Sequence, residues 1–172
     1  MIIETKRLVL RPLEPADAPA ITSLISDWDV IRWLTAPPWP FRQSDAEEFV
    51  ASDMAADCLA LTLNGQLIGV VGLHSDDATK GKSLGYWLGK PFHGAGYMTE
   101  AATAMIGQHF KAHDTGLHSG YLPGNQASAN VLGKLGFVSD GSEKAVSRPL
   151  AREVTLHRVR LTAEDWRARN EG

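Results

Sequence analysis

The sequence has little of what would mark several large classes of protein. It contains a single cysteine, Cys58, so it can form no internal disulfide, and this thiol lies in an apolar stretch where a free cysteine usually packs as a small hydrophobic residue. Lysine and arginine number 17 against 20 aspartate and glutamate, a formal charge of −3, which gives no strong positive field for a phosphate backbone. We therefore expect a cytoplasmic protein with no nucleic acid partner.

Long hydrophobic runs are also lacking. The opening segment MIIETKRLVLRPLE is interrupted by charges where a secretory signal needs an apolar core, and no later stretch stays apolar long enough to span a bilayer. We expect no membrane partner. With 172 residues, of which 44% are hydrophobic, the chain can bury one core, so we predict a single domain over residues 1–172.

The first third of the chain predicts a strand and two helices. Alternation around Leu8 and Leu10 is typical of a strand, which Pro12 should end. A helix is expected over 18–25 after Asp17, and the Trp- and Pro-rich segment 26–42 should be irregular. Ser44 and Glu47 have the spacing of a capping box and predict a further helix to about residue 54.

The rest of the chain alternates predicted strands and helices. A hairpin is expected from Leu59–Leu63 and Gln66–Leu73, because an Asn64-Gly65 pair is a strong turn signal. The other predicted elements are a polar loop at 75–82, strands at 83–88, 117–122 and 153–161, and helices at 94–113 and 127–135. This order predicts a mixed α/β fold around a central sheet.

The most informative segment is LGYWLGKPFHGAGYMTEA, residues 84–101. A strand leads into a loop with Gly89, Gly94 and Gly96 and then directly into a helix, whose exposed first amides are suited to bind a phosphate. A dinucleotide fold would need a third glycine near Thr99, and a nucleoside-triphosphate loop would need Gly-Lys-Ser/Thr, so neither is favoured. A tight turn without a ligand is the structural alternative.

A second segment, GNQASANVLGKLGF at 124–137, raises the value of the first. Together with TKRLVLRPLEPADAPAI and YWLGKPFHGAGYMTEA, it closely resembles the GNAT superfamily of N-acetyltransferases, in particular the RimJ/RimL-type branch that acetylates ribosomal proteins. The resemblance implies the GNAT fold, a central mixed, mostly antiparallel sheet splayed between two strands and flanked by helices. It also implies acetyl-CoA as cosubstrate and a primary amine, such as a protein N-terminal amine, as acceptor.

The resemblance also implies which residues hold coenzyme A (CoA). Main-chain amides from about His93 to Met98 would hold its diphosphate, and free amides on the splayed strand, opened by a β-bulge, would hold the pantetheine arm and the thioester carbonyl. The implied cofactor-binding residues are Tyr86, Trp87, Leu88, His93, Gly94, Ala95, Gly96, Tyr97, Met98, Thr99, Asn125 and Ser128.

Three residues are the candidates for catalysis. The Leu88 amide would bind the oxyanion. Because Leu132 stands where many relatives carry a tyrosine that protonates the departing thiolate, Ser128 would hydrogen-bond that thiolate instead. The structural alternative for Ser128 is that it only caps a helix. Glu100 is the third catalytic candidate and would act as the base that accepts the amine proton. The other candidate bases are His74 and His118, and relatives can instead release the proton to water. The pair His109 and His113 has helical spacing for a metal but lacks the glutamate of a zinc protease, so we expect no metal.

Several features keep a second interpretation open. Pro91 replaces the usual Arg or Gln of the diphosphate loop and, with Leu132, allows a CoA-binding sensor or interaction domain with weak catalysis. Gly133 should weaken its helix by up to about 1 kcal/mol relative to alanine. A set of aromatic residues either lines an acceptor groove or belongs to the core: Trp28, Trp33, Trp39 and Phe41. A dinucleotide-binding module is a third, remote interpretation. The chain would act as a monomer or homodimer.

Overall fold

A computed structural model describes residues 1–171, in which eight strands form one sheet and six helices cover it. The strands are β1 (Ile3–Glu4), β2 (Val9–Pro12), β3 (Cys58–Leu63), β4 (Gln66–Asp76), β5 (Gly81–Leu88), β6 (Leu117–Tyr121), β7 (Val138–Ser147) and β8 (Arg152–Leu161). The helices are α1 (Ala18–Ile25), α2 (Trp28–Ile31), α3 (Gln43–Ala51), α4 (Tyr97–Ala112), α5 (Gln126–Leu135) and α6 (Ala163–Asn170).

The sheet is mixed and mostly antiparallel, as predicted. Its strand order is β1-β2-β3-β4-β5-β6-β8-β7, and β5 with β6 is the parallel pair. The predicted hairpin is confirmed: Asn64 and Gly65 have φ angles of 51° and 81°, the two left-handed residues that a tight hairpin turn requires. The loop between β4 and β5 is shorter than predicted, because both strands extend to pair Asp76 with Gly81.

Apolar residues pack on both faces of the sheet. The larger cluster joins the sheet to α4, α5 and α6 and includes Ile106, Leu132 and Trp166. The smaller one joins the opposite face to α1, α2 and α3 and includes Ile21, Ile31 and Ala46. Each helix therefore contributes its apolar face to a core, which is the expected layered arrangement of an α/β protein.

Several predicted boundaries require correction. The helix at 43–51 begins two residues earlier than the Ser44 and Glu47 pattern indicates, because Arg42 takes the capping position and its amide donates to the Asp45 carboxylate at 2.8 Å. Helix α4 begins at Tyr97, since Gly96 is left-handed with φ of 82° and closes the preceding loop. Strand β7 and helix α6 were not predicted at all. Within residues 1–171 we find no helix with the length and apolar character needed to cross a membrane.

Candidate active site

A gap between β5 and β6 forms the centre of the site. The two strands share only the pairs Lys82 with Leu117 and Ser83 with His118, although β5 continues to Leu88 and β6 to Tyr121. Beyond the second pair the strands separate, and at the closed end of the gap the Ser119 hydroxyl donates to the Leu84 carbonyl at 2.8 Å. The predicted splay of the sheet is thus present between these two strands.

The register of β5 directs main-chain groups into this gap. Gly89 donates its amide to Ile68 on β4 at 2.8 Å. Since bonded and non-bonded residue pairs alternate along antiparallel strands, the amides of Tyr86 and Leu88 face away from β4 and towards β6. The pairing of β4 with β5 has no register shift, so the expected β-bulge in the splayed strand is wrong. The short parallel ladder is what leaves these amides free.

The glycine loop presents a second set of amides. Gly94 and Gly96 both have φ of 82°, a conformation that glycine adopts without steric cost. Within residues 1–171, no protein acceptor is found for the amides of the six residues from Gly94 to Thr99, whereas Glu100 donates to the Gly96 carbonyl and begins the helical pattern. The loop is open, and α4 directs its positive end towards the same place.

Arg7 holds this loop from outside the gap. Its guanidinium donates to the Ala95 carbonyl at 2.9 Å and to Glu100 at 2.9 Å, and it lies 4.4 Å from the Tyr97 ring centre. The Thr5 hydroxyl and the Arg7 amide donate to the other oxygen of Glu100 at 2.7 and 3.0 Å. These contacts tie the N-terminal strands to the start of α4.

Glu100 is therefore misplaced for the catalytic role predicted for it. It borders a shallow depression beside Thr5 and Arg7 and does not line the cleft that opens at the gap between β5 and β6. Burial raises the pKa of Glu100, but the hydrogen bonds from Thr5 and Arg7 outweigh that effect and lower it below the ordinary 4.5. A carboxylate with a lowered pKa and three donors is a poor base, and its position makes it a brace for α4.

The N-terminus of α5 brings two hydroxyls together. The Asn125 side-chain oxygen accepts the Ser128 amide at 3.3 Å, so Asn125 caps the helix and the capping role considered for Ser128 is wrong. The Ser128 hydroxyl lies 2.8 Å from the Tyr86 hydroxyl on β5. Burial raises the pKa of Tyr86 to about 12, and the hydrogen bond to Ser128 offsets only part of this rise. Tyr86 thus stays protonated at neutral pH.

These elements enclose one cleft of about 480 Å³. Of the twelve predicted cofactor-binding residues, eleven line it, and Ala95 is the exception because its carbonyl faces Arg7. His93 is held at the end of β5, where its Nε2 donates to the Leu88 carbonyl at 2.6 Å. The geometry therefore assembles residues from β5, α4 and α5 around the gap.

The aromatic residues before α3 divide between cleft, surface and core. Trp33 lines the cleft opposite Gly124, while Phe41 packs against the smaller apolar cluster. Trp28 and Trp39 are 37% and 42% exposed and contact each other, with ring centres 5.1 Å apart. One of the four predicted acceptor-groove aromatics thus borders the cleft.

The remaining candidate bases lie outside the cleft. His74, on β4, has its Nε2 3.8 Å from the Cys58 sulfur on β3. The Nε2 of His118 lies 3.7 Å from an Asp140 carboxylate oxygen. Among the described residues that line the cleft, the one carboxylate is Asp29, and the hydrogen bond and charge of Lys90, at 2.6 Å, lower its pKa. The one carboxylate among the described lining residues is therefore already paired with a lysine.

The potential metal pair does not gather ligands. His109 is buried, and its Nε2 lies 2.8 Å from the Thr115 carbonyl. Its ring packs against that of His113, with the centres 5.1 Å apart. Within residues 1–171, no group of three or more His, Cys, Asp or Glu side chains is arranged to hold a metal ion.

Three site features were missed by the sequence reasoning. The Tyr86 hydroxyl and the Arg7 brace connect residues 42 and 93 positions apart, so no local pattern announces them. Lys134, on the last turn of α5, lines both the cleft and the neighbouring depression. Its spacing of six residues from Ser128 does not place the two on one helix face, so no local pattern indicated that Lys134 borders the cleft.

Comparison with known proteins agrees with this site. Residues 7–138 match the family described as Acetyltransferase (GNAT) domain. The chain is 30% identical over 156 residues to "Probable N-acetyltransferase YjcK" of Bacillus subtilis, covering 81% of this chain and 85% of that protein. It is 26% identical over 158 residues to "Putative ribosomal N-acetyltransferase YdaF" of the same species, covering 81% and 82%.

A solved structure shares the architecture. RimL, a ribosomal L7/L12 alpha-N-protein acetyltransferase solved in complex with coenzyme A, superposes with a TM-score of 0.81 at 20% identity, over 94% of this chain and 98% of that one. At this identity the match shows the fold. Because the family match runs through most of the sequence and includes the glycine loop and the first half of the sheet, the chain belongs to the GNAT acetyltransferase family.

Proposed function

We propose that this protein transfers the acetyl group of acetyl-CoA to a primary amine, with a protein N-terminal amine as the first acceptor class to test. The observation that carries the proposal is the run of amides from Gly94 to Thr99 that have no acceptor within residues 1–171. Such a run at a helix N-terminus binds phosphate oxygens well. The names of YdaF and RimL support the acceptor class.

The cleft offers a separate group for each part of the cosubstrate. The glycine loop would hold the diphosphate, and the strand amides of Tyr86 and Leu88 would hold the pantetheine arm and the thioester carbonyl. Lys134 has no ion-pair partner within residues 1–171 and borders the depression next to the loop, so it would neutralise a phosphate. Asn125 would contact the arm from the opposite wall.

The reaction would proceed by direct attack. The amine nitrogen forms a bond to the thioester carbon, and the oxygen gains negative charge that the Leu88 amide stabilises. The carbon–sulfur bond then breaks with its electron pair on sulfur, where the Ser128 hydroxyl donates a hydrogen bond. The amine proton passes to water, since Glu100 lies outside the cleft and Asp29 is held by Lys90. The products are an acetylated amine and CoA.

Two measurements test this proposal. Calorimetric titration with CoA should show saturable binding, and no heat would remove the basis of the proposal. Release of thiol from acetyl-CoA should then appear with at least one member of a panel of amines and N-terminal peptides. Binding without turnover across the whole panel would favour the CoA-binding sensor instead.

A matched pair of serine variants tests the catalytic assignment. Ser128→Ala should lower kcat by about tenfold to a hundredfold, which is the loss expected for a hydrogen bond to a developing charge. Ser139→Ala, an exposed serine on β7, should leave kcat unchanged. Equal activity of the two variants would show that the Ser128 hydroxyl takes no part in the reaction.

A further inference from the structure

The hydroxyls of Tyr86 and Ser128 form a pair inside the cleft. They come from β5 and α5, lie 2.8 Å apart, and both side chains line the cleft. Within residues 1–171, neither hydroxyl has another hydrogen-bond partner. Their contact is therefore the one interaction that orients each of them.

Counting protons fixes what this pair can offer to a ligand. Two hydroxyls carry two hydrogens, and one of these lies between the two oxygens. We assign Tyr86 as the donor, because a phenol is the stronger donor and an alkyl hydroxyl the better acceptor. The Ser128 hydrogen then points away from Tyr86, into the cleft.

The neighbouring position explains why a tyrosine from β5 can take part. Leu132, one turn after Ser128 on α5, is 1% exposed and packs in the larger apolar cluster. No hydroxyl reaches the cleft from that position. Tyr86 approaches from the opposite wall, with its ring packed against the same cluster and its hydroxyl at Ser128.

We propose that Tyr86 is a positioning residue for acetyl transfer, because its hydroxyl holds Ser128 so that the serine O–H points at the departing thiolate. This inference rests on the proposed function. When the carbon–sulfur bond breaks and its electron pair moves to sulfur, Ser128 donates to the sulfur while accepting from Tyr86, which strengthens the serine as a donor. Both hydroxyls keep their protons, and the thiolate leaves as part of the CoA product.

Steady-state kinetics of a double-mutant cycle test the pair. Tyr86→Phe keeps the ring and should lower kcat by about threefold to tenfold, the range expected for one lost hydrogen bond, with the KM for acetyl-CoA unchanged. Combined with Ser128→Ala, it should add nothing to the loss caused by Ser128→Ala alone, because Tyr86 acts through Ser128. Independent, multiplicative losses, or an effect on KM alone, would overturn the inference.

Thr62→Val provides the matched control for loss of a hydroxyl. Thr62 donates at 2.7 Å to the Val9 carbonyl on the far side of the sheet, and valine has the same shape. Its melting temperature should fall while its kcat stays at the wild-type value. If Thr62→Val lowers kcat as much as Tyr86→Phe does, general destabilisation explains both variants and the inference fails.

The ionisation of bound CoA tests the pair without any acceptor. A donor at the sulfur stabilises the thiolate and lowers the pKa of the bound thiol, which ultraviolet absorbance of the thiolate reports. Tyr86→Phe should raise that pKa by about half a unit to one unit. An unchanged thiol pKa in this variant would overturn the inference. A shifted thiol pKa in a protein that acetylates nothing would instead support the pair and refute the proposed function.

Discussion

Replacing glycine by alanine should have opposite effects on stability at two positions, Gly96 in the glycine loop and Gly133 in α5. Gly96 has φ of 82°, which costs a residue with a Cβ about 1–2 kcal/mol. Gly133 lies inside α5, and a Cβ added there meets no atom within 4 Å. Alanine at that helical position should stabilise by up to about 1 kcal/mol.

Thermal unfolding converts these energies into a measurable difference. For a domain of this size, 1 kcal/mol corresponds to a change in melting temperature of about 2–4 °C. Gly96→Ala should therefore melt below the wild type and Gly133→Ala above it, and a combined difference of about 2–3 kcal/mol places about 4–12 °C between the two variants. Differential scanning calorimetry without ligand measures both. If Gly133→Ala melts lower than Gly96→Ala, the conformational argument is wrong.

Binding separates the loop from the helix in the same pair of variants. If the loop relieves its strain by rotating, its amides no longer converge, and 1–2 kcal/mol corresponds to a CoA Kd weakened by about fivefold to thirtyfold. Gly133→Ala should keep the wild-type Kd. A Gly96→Ala protein with both wild-type melting temperature and wild-type Kd would refute the role assigned to the left-handed glycine.

Three further predictions follow from particular side chains. Glu100→Gln should keep kcat within about twofold, because the carboxylate accepts from Thr5 and Arg7 and lies outside the cleft. Since the folded pKa of Glu100 is lowered, the stability it contributes should be present above pH 4.5 and be lost as pH falls through the folded value, and in acid melts the Glu100→Gln protein should show a smaller loss. Lys134→Gln should weaken binding of CoA more than binding of dephospho-CoA, which lacks the 3′-phosphate, and the difference should shrink at high salt. Equal weakening for both ligands would show that Lys134 does not neutralise that phosphate. Burial raises the pKa of Cys58 to about 12, so a thiol reagent at pH 8 should modify it only after denaturation, and rapid modification of the native protein would contradict its buried position.

The elements that were predictable are those whose sequence repeats a local rule. The Asn64-Gly65 turn specifies its own backbone, and the alternation around Leu8 and Leu10 places these two residues in the core while Val9 between them is exposed. The glycine loop also follows a local rule, because left-handed residues beside a helix start leave amides exposed. The cofactor-binding residues were predicted from the family resemblance, and eleven of those twelve line the cleft.

The elements that were missed depend on partners distant in sequence. Strand β7 is exposed over most of its length and has no apolar alternation, so it exists because β8 pairs with it from Val138 with Arg160 to Ser147 with Arg152. Helix α6 has little apolar character beyond Trp166, which enters the larger cluster. Glu100 looked available for catalysis because Arg7, 93 residues earlier, was invisible as its partner.

The two departures from the family pattern both lie outside the described lining of the cleft. Leu132 points into the core, so replacing a tyrosine there removes a hydroxyl without opening a hole in the cleft. Pro91 sits in a single helical turn, Lys90–Phe92, that ends before Gly94, where the run of free amides begins. Proline has no backbone N–H to donate, but position 91 precedes the glycine loop, so the run of free amides in that loop is unaffected. Each departure therefore leaves the described lining of the cleft intact, because Leu132 lies in the core and Pro91 precedes the run of free amides.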